Sequence, residues 1–489
     1  MSKRFLGRQI LALLIATVSI LAAHATVLAQ DKAAKIDELM KVYYGYKQFN
    51  GSVLVAENGK VIFKKGYGMA NMEWNIPIET DTKFRLGSIT KQFTSMLILQ
   101  LVQEGKIKLD GKLTDYLPDY RKDTGDRVTI HQLLNHTSGI PSYTGLPNFF
   151  QDVSRNPYSV TDFVKKYTSG DLEFEPGSKF SYNNSGYFLL GAIVERITGK
   201  PYEQVLKERI FDPLGMKNSG YDHGETIIAK RAAGYEKRPA GFINAPYLDM
   251  SLPYAAGSLY STVEDLYLWD QALYTDKLLP PQLKEQMYKP GLSNYAYGWA
   301  VRKAPLGLND EQVTTIEHGG GINGFNTLIT RMPDSKNLIV LLNNTGQAKL
   351  GEMSQKIAAI LFGKPYKEPQ RDIADTLYNS VIEKDVQAAV KQYRELKETQ
   401  KDAYDFGVEQ LNNLGYRLLQ MKRAKDAIEM FKLNVEMFPK AANAYDSLGE
   451  AYMESGDKNL AIQNYKKSLE LNPKNTNAVE KLKKLEAAP

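Results

Sequence analysis

At 489 residues the chain exceeds what one hydrophobic core usually holds, so at least two domains are expected. Its 43% hydrophobic content is that of a folded globular protein, and a formal charge of only +6, without a long basic run, gives no support to nucleic-acid binding. The absence of cysteine excludes disulfides, thiol catalysis, cysteine-ligated metals and a lipoprotein anchor.

The chain begins with Lys3, Arg4 and Arg8, followed by an almost wholly apolar run from Ile10 to Ala23 and then small residues. That is the pattern of an export leader, residues 1–29, with cleavage expected near Ala29. The alternative is an uncleaved anchor, but the run is shorter than the roughly 20 residues that span a bilayer. A periplasmic or secreted protein without a stable membrane span is therefore expected.

Helical spacing follows from Lys35 to Tyr46. Ser52–Ala56 and Lys60–Lys64 are short apolar runs joined through Asn58-Gly59, the strongest local signal for a hairpin. Next comes a helix opened by Ser88-Ile89-Thr90-Lys91 and ending near Gly105. From about 110 to 290 the pattern is mainly helical and punctuated by loops, with helices expected at 159–166, 186–198 and 262–273. Strand signals return at 311–317, 326–331 and 337–342, and a helix at 351–362 closes the segment. Strands at both ends with helices between them point to an α+β fold: one antiparallel sheet completed by distant segments, beside an all-helical subdomain.

After a linker expected at 363–370 the chain turns wholly helical. Leu414, Gly415, Ala427, Phe431 and Pro439 recur 34 residues later as Leu448, Gly449, Ala461, Tyr465 and Pro473, a spacing that resembles the tetratricopeptide repeat. Residues 371–408 read as one or two degenerate helical hairpins, and Asn477 to Leu485 as a capping helix, so residues 371–489 form an all-α repeat domain. Such arrays present surfaces to protein partners or to second copies of themselves.

Ser88 and Lys91 share a helix face, and a desolvated lysine can serve as the base that makes a serine nucleophilic. A serine in the first helical turn also has a free backbone N–H for an oxyanion. Alone, the pattern is equally that of a capping serine beside a solvated lysine, and it occurs again at Ser455 and Lys458 between two helices. Two further segments complement it. Tyr182-Asn183-Asn184 is the chain's single Tyr-x-Asn among thirty tyrosines, offering a phenol as base or relay and an amide to hold the lysine or a substrate. Glu317-His318-Gly319-Gly320-Gly321 follows a strand signal and can present an N–H to an oxyanion where a substrate approaches closely. A Gly-x-Ser-x-Gly elbow, a His-Glu-x-x-His site and a phosphate-binding loop are all missing, so neither a metal nor a cofactor is expected.

The order Ser88/Lys91, Tyr182/Asn184, His318/Gly320 resembles the penicillin-recognising serine hydrolase superfamily, in its branch around class C β-lactamases, D-Ala-D-Ala peptidases and related esterases. Phe84 to Phe93, Leu133-Leu134-Asn135-His136-Thr137-Ser138-Gly139-Ile140, Gly186 to Pro201, Pro213 to Met216 and Ala256 to Thr262 are similar to recurring stretches of it. The resemblance makes residues 31–362 a β-lactamase/transpeptidase-like domain. It implies Ser88 as the acylated nucleophile, Lys91 as base, Tyr182 as proton relay, and Asn184, His318 and Gly320 as substrate-side groups. The oxyanion hole would be the N–H groups of Ser88 and Gly321.

One departure bears on the substrate. The superfamily often carries Lys-Thr-Gly or Lys-Ser-Gly in its third segment, where the lysine holds a substrate carboxylate, and here His318 takes that place. A mostly neutral histidine is expected to donate a hydrogen bond rather than a full charge. The expected substrates are thus small molecules or peptides with ester or amide bonds, including peptides with D-residues. The alternatives are a β-lactamase or D-Ala-D-Ala carboxypeptidase and, in another class, a catalytically weak scaffold working through its repeats.

Overall fold

The computed structural model describes residues 30–238, 241–308 and 310–487, so the leader lies outside the described residues. The chain divides into two compact units, the first through residue 367 and the second from 368.

In the first unit, helix α1 (residues 30–45) precedes the hairpin of β1 (Gly51–Glu57) and β2 (Lys60–Tyr67). Asn58 and Gly59 have φ of 52° and 75°, the two left-handed residues a tight hairpin needs. Helix α2 (Thr90–Gln103) follows, then helix α3 (Asn184–Thr198) within a region of short helices. The chain returns through β3 (Ala300–Pro305), β4 (Gln312–Ile322), β5 (Phe325–Met332) and β6 (Asn337–Asn343) to helix α4 (Leu350–Leu361). The six strands form one antiparallel sheet in the order β3-β4-β5-β6-β1-β2, so β6 pairs with β1 and joins the two ends of the unit.

Both faces of the central strands are buried, which is why they read as unbroken apolar runs. Val53, Val55, Ile339 and Leu341 pack with Ile36, Met40, Met353 and Ile357 of α1 and α4. Leu54, Ala56, Val340 and Leu342 point the other way, into the core around α2. Helix α2 is buried nearly all round because it runs through that core, polar in its first turns and mainly apolar from Met96, and its Phe93 stacks on Trp269 at 4.4 Å.

Most expected elements form within a few residues of their sequence limits. Ser159 and Thr262 are the N-caps of helices Val160–Tyr167 and Val263–Leu273, their hydroxyls accepting the N–H of Asp162 and Asp265. Two differences matter. Strand β3 has no counterpart in the sequence reading, because Val-Arg-Lys-Ala-Pro is a polar, proline-ended sheet edge without apolar alternation. Strand β4 does not stop at Glu317 but carries the three glycines inside it as far as Ile322.

In the second unit, residues 371–408 form a single helical hairpin, Ile373–Glu383 and Val386–Thr399, rather than two. Two repeat hairpins and the helix Thr476–Ala487 follow. The recurring Gly-aromatic pairs explain the repeat: a Cβ on Gly415 would overlap the Phe431 ring, and one on Gly449 would sit 3.1 Å from Tyr465. Ser455 and Lys458 flank a turn at Gly456, φ 85°, where Asp457 caps the next helix; this second Ser-x-x-Lys is a connection between helices.

The two repeats differ in one buried network. Asn475 donates to Asp446 and to Ser468, each at 2.9 Å, and accepts the N–H of Ala478. One repeat earlier Ala441 stands in its place, and the buried side chains of Asn434 and Asn412 keep polar atoms without a hydrogen-bond partner among the described residues. Ala441 also begins helix Ala442–Ser455 without a side-chain cap. Ala441→Asn is therefore expected to stabilise the unit by about 1 kcal/mol or more through capping and pairing together. Equilibrium urea unfolding checks this, and an unchanged or lower midpoint would show that the network does not transfer.

Candidate active site

Ser88 lies in a 3-10 turn, Gly87–Ile89, that runs directly into α2. Gly87 has φ of 55°, and a Cβ there would sit 2.8 Å from the nitrogen of Gly321, so glycine is what lets this turn close against β4. One helical turn on, Lys91 is fully buried. Its Nζ lies 2.9 Å from each of three oxygens: Ser88 Oγ, Asn184 Oδ1 and the carbonyl of Ala256. Burial pulls its pKa well below the ordinary lysine value.

The three contacts define the proton arrangement. The Ala256 carbonyl can only accept. So can Asn184 Oδ1, since the same amide donates from Nδ2 to Thr144 Oγ1 at 3.1 Å and its backbone N–H donates to Ser142 Oγ. A neutral Lys91 spends both N–H groups on these acceptors and turns its lone pair to the Ser88 hydroxyl.

Tyr182 and Asn184 are brought to the same place by the start of α3, where Asn183 caps the helix by accepting the N–H of Gly186. The Tyr182 ring covers Lys91 Nζ at 4.9 Å. Tyr182 is 40% exposed as a residue, yet desolvation of its phenol pushes the pKa up, outweighing the opposing hydrogen bond with Ser88. The lysine is itself held toward neutrality, and the raised pKa keeps the phenol protonated as a donor.

Strand alternation sends His318 and Gly320 toward α2 from the same face of β4. A Cβ on Gly320 would overlap the Leu86 carbonyl oxygen, which also accepts a 2.7 Å hydrogen bond from Thr327 Oγ1. Gly321 has open space at its Cβ position. Strand β3 pairs with β4 only as far as Glu317, which leaves the edge from His318 to Ile322 free on that side. The hairpin closing at Ile322 and Phe325 makes that pair hydrogen-bonded, so the alternation of an antiparallel ladder turns the Gly321 N–H off the free edge.

His318 differs from its expected role. Its Nδ1 lies 2.6 Å from the Gly319 carbonyl, which only accepts, so Nδ1 carries the proton and Nε2 accepts from the Tyr295 hydroxyl at 2.8 Å. Burial pulls its pKa down to about 3. The ring is neutral and has no N–H left for a substrate. Tyr295 was not legible beforehand, being one tyrosine among thirty; the Ala256 carbonyl and His136 lay in segments that the family resemblance had marked.

Ser88, Asn184 and Gly321 open on a cavity of about 290 Å³ walled by Tyr143, Phe149, Phe150, Leu248, Leu252 and Ile322. Among the described residues, no charged side chain lines it. Two larger cavities, about 570 and 610 Å³, lie elsewhere in the helical region and contain none of these groups.

A serine beside a buried lysine, at the edge of an antiparallel sheet flanked by helices, defines a serine hydrolase of the β-lactamase fold. The beta-lactamase family model matches residues 33–362, and the chain belongs to that family. A tetratricopeptide repeat model matches residues 442–475. Penicillin-binding protein 4* of Bacillus subtilis is 31% identical over 366 residues, covering 70% of this chain and 79% of that one. D-amino acid amidase of Ochrobactrum anthropi, solved with L-phenylalanine amide, is 25% identical with a TM-score of 0.60 over 68% of this chain and 99% of its own. The penicillin-binding protein homologue of Pyrococcus abyssi, described as octameric, is 26% identical with a TM-score of 0.59 over 71% of this chain and 81% of its own.

Proposed function

We propose that this chain is an exported serine hydrolase that forms an acyl-enzyme on Ser88 and cleaves ester or amide bonds in substrates that carry no carboxylate. The observation that carries the reading is the fully buried Lys91, whose Nζ lies 2.9 Å from two obligate acceptors, Asn184 Oδ1 and the Ala256 carbonyl, and 2.9 Å from Ser88 Oγ. As Ser88 Oγ bonds to the substrate carbonyl carbon, its proton passes to Lys91 Nζ, and the new oxyanion meets the N–H groups of Ser88 and Gly321. Tyr182 gives its proton to the leaving group as the carbonyl–leaving-group bond breaks, and recovers one from Lys91. Water then adds to the ester carbon by the reverse proton path, releasing the acid and free Ser88.

The uncharged cavity and a His318 without a free N–H weigh against recognition of a substrate carboxylate, hence against β-lactams and carboxy-terminal D-Ala. The amidase neighbour favours amides, D-aminoacyl amides among them. The repeats are proposed as a surface for a protein partner or a second copy, and residues 1–29 as a leader removed on export.

Intact-mass spectrometry after treatment with an acylating ester tests the reading. One adduct that maps to Ser88 and is absent from Ser88→Ala is expected. An adduct elsewhere, or equal turnover by Ser88→Ala, would end it. On a panel of acyl esters, D- and L-aminoacyl amides and a chromogenic lactam, the carboxylate-free esters and amides are expected to be preferred over the lactam.

A further inference from the structure

His136 lies outside the residues given a chemical role above, yet it touches the Tyr182 segment at three points. Its carbonyl accepts the N–H of Ser181 at 2.9 Å. Its Nδ1 accepts the N–H of Asn183 at 3.1 Å. Its ring packs on the Tyr182 ring with centroids 4.4 Å apart. The residues on either side of Tyr182 are thus hydrogen-bonded to the same histidine that packs against the phenol ring.

The histidine is itself tightly held. It is 1% exposed and has φ of 61°, a left-handed conformation that side-chain-bearing residues rarely keep without a reason imposed by their surroundings. Because Nδ1 accepts, the proton sits on Nε2, which has no hydrogen-bond partner among the described residues. The rings of Phe180, Tyr187 and Tyr295 enclose it at centroid distances of 5.8, 5.2 and 4.6 Å. Burial holds its pKa well below the usual histidine value, so it remains a neutral acceptor. A phenylalanine would fill the same space without a polar atom to bury. What only the histidine supplies is the Nδ1 acceptor between Tyr182 and Asn184.

We propose that His136 is the positioning residue of Tyr182: by gripping Ser181 and Asn183 and backing the phenol ring, it fixes the Tyr182 hydroxyl where the leaving group receives its proton. The proposal rests on the acyl-enzyme reading above. Its consequence is selective. A p-nitrophenolate leaves without help from an acid, whereas an alkoxide or amide nitrogen needs a proton in the transition state. Loosening Tyr182 should therefore penalise poor leaving groups far more than good ones.

The test compares His136→Asn, which tolerates a positive φ and keeps an acceptor, with His136→Phe, which keeps a ring and loses the acceptor. Each is assayed on a p-nitrophenyl ester and on an alkyl ester of the same acyl group, with thermal unfolding recorded in parallel. Where it folds, His136→Phe is expected to lose about 100-fold in kcat on the alkyl ester, the scale of an ångström misplacement, and His136→Asn, which keeps an acceptor but not the ring, less. On the p-nitrophenyl ester the loss should be several-fold at most. In a Tyr182→Phe background neither substitution should cost anything further. Equal losses on both esters, or full additivity with Tyr182→Phe, would overturn the positioning role and leave His136 a structural residue. If one variant does not fold, the other decides. A Ser88 adduct formed by the parent protein separates either outcome from failure of the acyl-enzyme reading, which would show as no adduct at all.

Discussion

Lys91→Met is expected to lower kcat/KM by about 10²–10⁴-fold, the usual contribution of a positioned general base, while the protein remains folded. Methionine matches the length of the lysine stem and removes an amine that burial disfavours in its charged form. Against that gain, the Asn184 and Ala256 oxygens lose their donor, at about 1–3 kcal/mol for each acceptor left buried. These opposing effects leave the variant within the stability range of an ordinary domain.

The pH profile identifies the group. Lys91 acts as base only when neutral, and its lowered pKa extends the neutral form to lower pH; activity should fall as pH drops through that value. Burial also holds His318 and His136 toward the neutral form, so the Lys91→Met profile is what separates the lysine from them. The raised Tyr182 pKa keeps the phenol protonated, so no alkaline limb is expected across the neutral range. Residual activity of Lys91→Met should lose the acid limb. A limb unchanged in Lys91→Met would assign the base to another group.

How much of this was legible beforehand follows from where each structural cause lies along the chain. The Asn58-Gly59 hairpin depends on two adjacent residues adopting positive φ, and the sequence states both. The Gly415–Phe431 and Gly449–Tyr465 contacts were legible because the repeat prints them twice. Strand β3 was missed because an exposed edge lacks the alternation that marks a strand with one face in the core. The glycines of β4 looked like a break after the strand for a non-local reason: what requires Gly320 is the Leu86 carbonyl, far away in sequence. His318 shows the same limit at the level of a single proton. Its identity and neutrality could be read, but Tyr295 and the Gly319 carbonyl decide which nitrogen bears the hydrogen, and they leave none for the substrate.

Gly320→Ala and Gly321→Ala separate the two jobs done by adjacent glycines. At Gly320 a methyl group would overlap a backbone carbonyl and the Thr327 hydroxyl, and neither can swing aside as a flexible side-chain end could. Strand β4 must then move away from the turn that carries Ser88, giving up the Thr327–Leu86 hydrogen bond as it goes. The expected cost is about 1–3 kcal/mol of stability, and about 100-fold in kcat/KM as the Gly321 N–H draws back from the oxyanion position. At Gly321 the methyl group meets open space and the N–H is retained, so stability should change by less than about 0.5 kcal/mol. Thermal unfolding and acylation rates on the same ester distinguish the two. If Gly321→Ala were the more damaging, the room around the substrate, rather than contact between strand and turn, would be what the glycines protect.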